Sequence, residues 1–133
     1  MYAHPEASKA YSSSAAEHVV DTADGYTLIL SLMKRLIARL AMAKHCMGSG
    51  DVAGKGEHLS QAINIIDVLQ VAVDERHDRQ LAENLVSLYG YMSRQLLAAN
   101  LHNDVALIDE VDGLVREVKD AWDAIGAPKN ANG

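Results

Sequence analysis

The chain has 133 residues, a formal net charge of −6, nearly half apolar residues, no Phe, two Pro and a single Cys. That size suits one domain with its own core. The acidic balance disfavours DNA, RNA and anionic lipid as general partners, and the lone Cys46 rules out an intrachain disulfide, in keeping with a reducing cytosol.

Residues 1–22 read as a segment that is small and polar, with Ser12-Ser13-Ser14 and Pro5, and with Tyr2 and Tyr11 as its large side chains. Such a stretch either stays loose or docks its tyrosines on the body. It carries no basic-then-apolar leader pattern. A helical body is expected over 23–126, and 127–133 reads as a loose tail. Asp24 is a plausible N-cap for a first helix that runs to about Met47. Its apolar arc is Leu28, Ile29, Leu32, Met33, Leu36, Ile37, Leu40, Ala43 and Met47, and Gly48-Ser49-Gly50 ends it. The apolar run from Leu28 to Met33 is far too short to span a membrane.

Asp51 is expected to cap a second helix reaching about Val73, with Leu59, Ala62, Ile63, Ile66, Leu69 and Val73 inward. Ile65, Val68 and Ala72 widen that stripe. Residues 74–79 form a charged connection. The third helix, ending at Asn100, has two apolar stripes on a wheel of about 100° per residue. Leu81, Leu85, Leu88, Met92, Leu96 and Ala99 make one; Ala82, Val86, Tyr89 and Leu97 lie beside it. Asp104 is expected to cap a fourth helix that runs to about Ile125 with one narrow stripe through Leu107, Ile108, Val111, Leu114, Val115, Val118 and Trp122. Gly126-Ala127-Pro128 closes it. Four long helices with short links predict an all-α, up-down-up-down antiparallel four-helix bundle.

The excess apolar width of the second and third helices marks a partner surface. Tyr with neighbouring Leu and Ala is what a helix-accepting groove uses. The candidate binding residues are Ile65, Val68, Ala72, Val86, Tyr89, Met92 and Leu97, with Asn84, Asn100 and Asn103 placed to satisfy a partner's backbone, and with Tyr2 and Tyr11 where their segment docks on the body.

Catalytic and cofactor chemistry finds little support. The Gly48–Gly56 run GSGDVAGKG lacks the spacing, the Ser or Thr after Lys55 and the preceding strand of a phosphate loop. The histidines lack the Glu-x-x-His spacing of bundle di-iron sites, and surface roles explain them. No Gly-x-Ser-x-Gly is present, and the acids fall on polar faces or at caps. No catalytic residue, metal or cofactor is therefore assigned.

Several runs resemble the flagellar secretion chaperone family, FliS. They are Gly50-Asp51-Val52-Ala53-Gly54-Lys55-Gly56-Glu57 with Leu59 to Asp67; Asn84-Leu85 and Leu88-Tyr89-Gly90-Tyr91-Met92, through Leu96-Leu97 and Ala99-Asn100-Leu101 to Asn103-Asp104; and Glu110 to Val115 with Trp122. Met1-Tyr2 and Lys9-Ala10-Tyr11 are similar too. The likeness covers nearly the whole chain. One departure is Asp24-Gly25 and Leu32-Met33-Lys34-Arg35, where the family usually reads Ser-Pro and Leu-Phe/Tyr-Asp-Gly. The resemblance implies a cytoplasmic bundle that binds the disordered C-terminal segment of flagellin, prevents premature polymerisation and aids delivery to the type III export gate. It also implies that the N-terminal segment, with Tyr2 and Tyr11, lies over part of the client groove. The charge and the short apolar runs lead to the expectation of no nucleic-acid partner and no membrane insertion, and the chain is expected to be a monomer or weak homodimer. The alternative is a homo-oligomeric bundle that buries its surplus stripes against another copy and has no flagellin client.

Overall fold

The computed structural model describes residues 23–74, 76 and 78–125. The N-terminal segment with Tyr2 and Tyr11, and the 127–133 tail, lie outside the described residues. Four helices fill what is described: α1 (Ala23–Ser49), α2 (Val52–Val71), α3 (Arg79–His102) and α4 (Val105–Ile125). They form a ring in which α1 meets α2 and α4, and α3 meets α2 and α4. The diagonal pairs stay apart. This is the all-α up-and-down bundle that the periodicity requires.

The helix ends follow local chemistry. Gly50 takes φ 77°, the left-handed conformation that favours glycine. The Asp51 N–H then donates to the Cys46 carbonyl at 2.9 Å, closing α1 in a Schellman-type turn. Asp51 at once caps α2, its carboxylate accepting from the Gly54 N–H at 2.9 Å. The α3/α4 turn, at the same end of the bundle, repeats the device. Asn103 takes φ 54°, Asp104 N–H donates to the Ala99 carbonyl at 3.0 Å, and Asp104 Oδ1 accepts from Ala106 N–H at 3.0 Å.

Three boundaries differ from expectation. Helix α1 begins at Ala23, so Asp24 falls in its first turn and is not its cap. Helix α3 begins earlier than its apolar stripe, because Asp78 accepts from the Leu81 N–H at 3.0 Å. It also runs two residues beyond Asn100, to His102, since the left-handed residue is Asn103.

The core runs the length of the ring through Leu36, Leu40, Leu59, Ile66, Leu85, Met92, Leu96 and Ile108. Helix α2 is rotated slightly from the expected register: Ile65 is buried and Ile63 only half-buried. Gly54 lets α1 and α2 approach closely, since a Cβ there would come 2.8 Å from Cys46 Sγ. Burial first, then Asp51, pushes the Cys46 thiol above its usual range. Trp122 on α4 closes the opposite end. Its indole N–H donates to the Tyr26 carbonyl at 3.0 Å, and the two rings stack at 5.3 Å.

Candidate functional site

Three hydrogen bonds from two side chains fix the register of the antiparallel α2/α3 pair. Gln70 Nε2 donates to the Val86 carbonyl at 2.9 Å near one end. Lys55 Nζ donates to the Asn100 carbonyl at 3.1 Å and to Asn103 Oδ1 at 3.0 Å near the other. Between these anchors, the outer edge of α3 carries Val86, Gly90, Leu97 and Leu101. The facing edge of α2 carries Val52, Gly56 and Ile63. From Val86 to Leu101 the edge runs about 22 Å at 1.5 Å per residue.

Apolar exposure grows along that edge. Val86 is half-buried, Leu97 is 59% exposed and Leu101 is 79% exposed. Val52 is exposed beside them, and nothing lies within 4 Å of where a Gly56 Cβ would stand. The α2/α3 seam, or trough, therefore presents its exposed apolar surface near the C-terminal end of α3, separated from Val86 by the Arg94 guanidinium and the Gln70 amide, which lie 3.3 and 3.7 Å from where a Gly90 Cβ would stand.

The candidate residues scatter around this trough. Tyr89 is 1% exposed, and Met92 and Ile65 are also buried. These three are corrected from surface to core. Tyr89 and Met92 point inward because the ring interior and the wedge towards α2 both need filling. Burial also pushes the Tyr89 hydroxyl well above the usual range. Val68 is exposed and Ala72 half-buried, but they follow Gly54 and His58 along the flank of α2 that faces α1. Arg39 Nη1 donates to His58 Nδ1 across that flank at 3.0 Å. So Val68 and Ala72 do not share a trough with Val86 and Leu97. Asn84 is exposed on the α4 flank of α3, two turns before Tyr91, with its side-chain oxygen taken by Gln80 at 3.0 Å. Lys55 donates to the Asn103 side-chain oxygen and to the backbone carbonyl of Asn100, so Asn103 Oδ1 is already engaged within the bundle, while the Asn100 side chain is exposed.

Lys55, Val52 and Leu101 are the residues that sequence reasoning missed. Leu101 follows Leu97 by one turn, a signal concealed by ending the helix at Asn100. Lys55 is 7% exposed and, among the described residues, has no carboxylate partner. Its ammonium instead satisfies the C-terminal carbonyl end of α3, where a cation also compensates the negative end of the helix dipole. Lys55→Ala is expected to cost about 2 kcal/mol, the worth of charge-assisted hydrogen bonds at a partly dry site. Urea denaturation followed by far-UV circular dichroism checks this.

On the other flank of α3, Tyr91 Oη donates to Glu110 Oε2 at 2.5 Å and Gln95 Nε2 donates to Glu110 Oε1 at 3.0 Å. These bonds, Tyr91 first, hold the Glu110 carboxyl below the ordinary carboxylate range. The clasp therefore stabilises the fold above the unfolded carboxyl pKa and is lost as pH falls through the depressed folded value. Tyr91→Phe is expected to move the Glu110 titration upward, read by carboxyl-carbon NMR.

Among the described residues, no group of three or more His, Cys, Asp or Glu side chains is arranged to hold a metal ion, and no helix is long and apolar enough to cross a membrane. The family model "Flagellar protein FliS" matches residues 7–129. The flagellar secretion chaperone FliS of Salmonella typhimurium is 43% identical over 91% of this chain and 90% of its own length. That of Escherichia coli K12 is 41% identical over 92% and 90%, and the flagellar secretion chaperone FliSB of Pseudomonas aeruginosa is 41% identical over 94% and 98%. With a family match over most of its length and relatives of this identity, the chain belongs to the flagellar protein FliS family.

Proposed function

We propose that this chain is a cytoplasmic export chaperone whose client is flagellin. It binds the client's disordered C-terminal segment in the α2/α3 trough, keeps it from polymerising and aids its delivery to the flagellar type III export apparatus. The observation that carries this reading is the exposed apolar line Leu97–Leu101 beside Val52 and the open Gly56, in a chain whose relatives are named flagellar secretion chaperones. A disordered segment that folds on binding loses conformational entropy, and extended apolar contact offsets that loss without nucleotide chemistry. In this reading Tyr2 and Tyr11 compete with the client for part of the trough, and the complex contains one copy of each protein.

Co-purification with full-length flagellin and with flagellin lacking its C-terminal segment tests the proposal. Full-length flagellin is expected to be retained in a one-to-one complex and the truncated form to be lost. Equal retention of both forms would remove the C-terminal segment as the ligand. An obligate dimer that retains neither form would favour a homo-oligomeric bundle instead.

A further inference from the structure

The α1/α2 seam is a second face with a different character. In a chain of net charge −6, residues 25–49 of α1 contain Lys34, Arg35, Arg39 and Lys44 and no acidic residue. Lys44 faces α4, where it pairs with Asp109 at 2.7 Å. Arg35 and Arg39 lie one turn apart on the opposite side, towards α2. Arg39 is held by His58, and neither arginine pairs with a carboxylate among the described residues. Neither acid of α2 forms an ion pair with them. Glu57 is engaged by Gln61 at 2.6 Å, and Asp67 lies on the far flank, towards α3.

Apolar surface adjoins these cations. The Arg39–His58 and Cys46–Gly54 contacts set the α1/α2 register, which brings Leu28 level with Val68 and Ala72. Leu28 is 42% exposed and Val68 is 52% exposed. Two turns further along α1 the seam becomes cationic at Arg35 and then Arg39, about 10 and 16 Å from Leu28 at 1.5 Å per residue. An apolar patch followed along one groove by guanidinium groups that have no carboxylate partner among the described residues complements a helix with the same spacing of Leu and carboxylate.

We infer that the α1/α2 groove docks an acidic amphipathic helix of a partner protein, its apolar side chains against Leu28 and Val68 and its carboxylates on Arg35 and Arg39. This face is separate from the α2/α3 trough, so one chain can hold both ligands. The probe is a fluorescein-labelled synthetic helix on the order of 20 residues, about 30 Å long, with Leu at one end of a face and Glu two and three turns along it. A second peptide carries Lys in place of Glu. Fluorescence anisotropy with the full chain is expected to show saturable binding of the acidic peptide alone, weakened by added salt. Arg35→Glu and Val68→Glu, both at exposed positions, are each expected to weaken it about tenfold or more. Leu97→Glu is expected to leave it unchanged. Equal binding of the Lys peptide, or wild-type affinity in Arg35→Glu, would overturn the inference. So would loss of binding in Leu97→Glu with retention in Val68→Glu, or a sedimenting dimer dispersed by Val68→Glu, which would assign the groove to a second copy.

Discussion

Tyr89→Glu is expected to collapse the bundle's stability by about 4 kcal/mol or more. The ring at this position is 1% exposed and sits among Leu85, Met92 and Leu96, all without exposed surface. The substitution removes a large packed side chain and places a carboxylate where water does not reach. The group either stays charged against a heavy desolvation penalty or takes up a proton. In both cases the folded state is penalised relative to the unfolded chain, where the same carboxylate is solvated. Domains of this size hold only about 5–15 kcal/mol in total, so much of the margin goes. The expected result is a large fall in the urea midpoint, or loss of helical circular dichroism without denaturant. Flagellin binding would vanish with the fold. A variant with the wild-type midpoint would place Tyr89 on the outside of the bundle.

The reason Tyr89 reads as surface from the sequence is geometric. A helix in a four-membered ring faces the interior and two neighbours, and its buried arc is about 120° wide on the wheel. Ala82 and Tyr89 fill the wedge of that arc towards α2, while Leu81, Leu88 and Ala99 fill the wedge towards α4. A second stripe is thus partly a requirement of ring packing, and only its outermost members, Val86 and Leu97, reach solvent. Helix α4 was legible because its stripe is narrow and its remaining face strongly charged. The caps Asp51 and Asp104 were legible because their function is local, within three residues of chain. Lys55 was not: its partners Asn100 and Asn103 come from a helix end more than forty residues away, and no local pattern marks a lysine that turns inward. The separation of Val68 from Val86 was equally hidden. Periodicity states how wide an apolar face is, and only the neighbour on each side decides which seam it borders.

The double change Leu97→Glu and Leu101→Glu is the counterpart of Tyr89→Glu, because it is expected to remove client binding and leave the bundle standing. Both side chains are mostly in water and one turn apart on the lip of the trough. Each new carboxylate stays solvated, so little is lost from the core. A small cost arises because negative charge in the last turns of α3 opposes the helix dipole, about 0.3–1 kcal/mol per group. The urea midpoint should therefore fall only slightly. Binding behaves differently. Two buried leucine contacts at about 1.5–3 kcal/mol each are lost, and two carboxylates must be dried against an apolar segment. Together these amount to roughly two to four orders of magnitude in affinity for flagellin, measured by titration calorimetry on the folded variant. Val68→Glu, which borders the α1/α2 seam, should leave flagellin affinity near wild type in the same assay. If the double variant binds flagellin as tightly as the wild type, the α2/α3 trough is not where the client lies. If Val68→Glu alone abolishes binding, the client uses the α1/α2 seam, and the trough between α2 and α3 loses its proposed role.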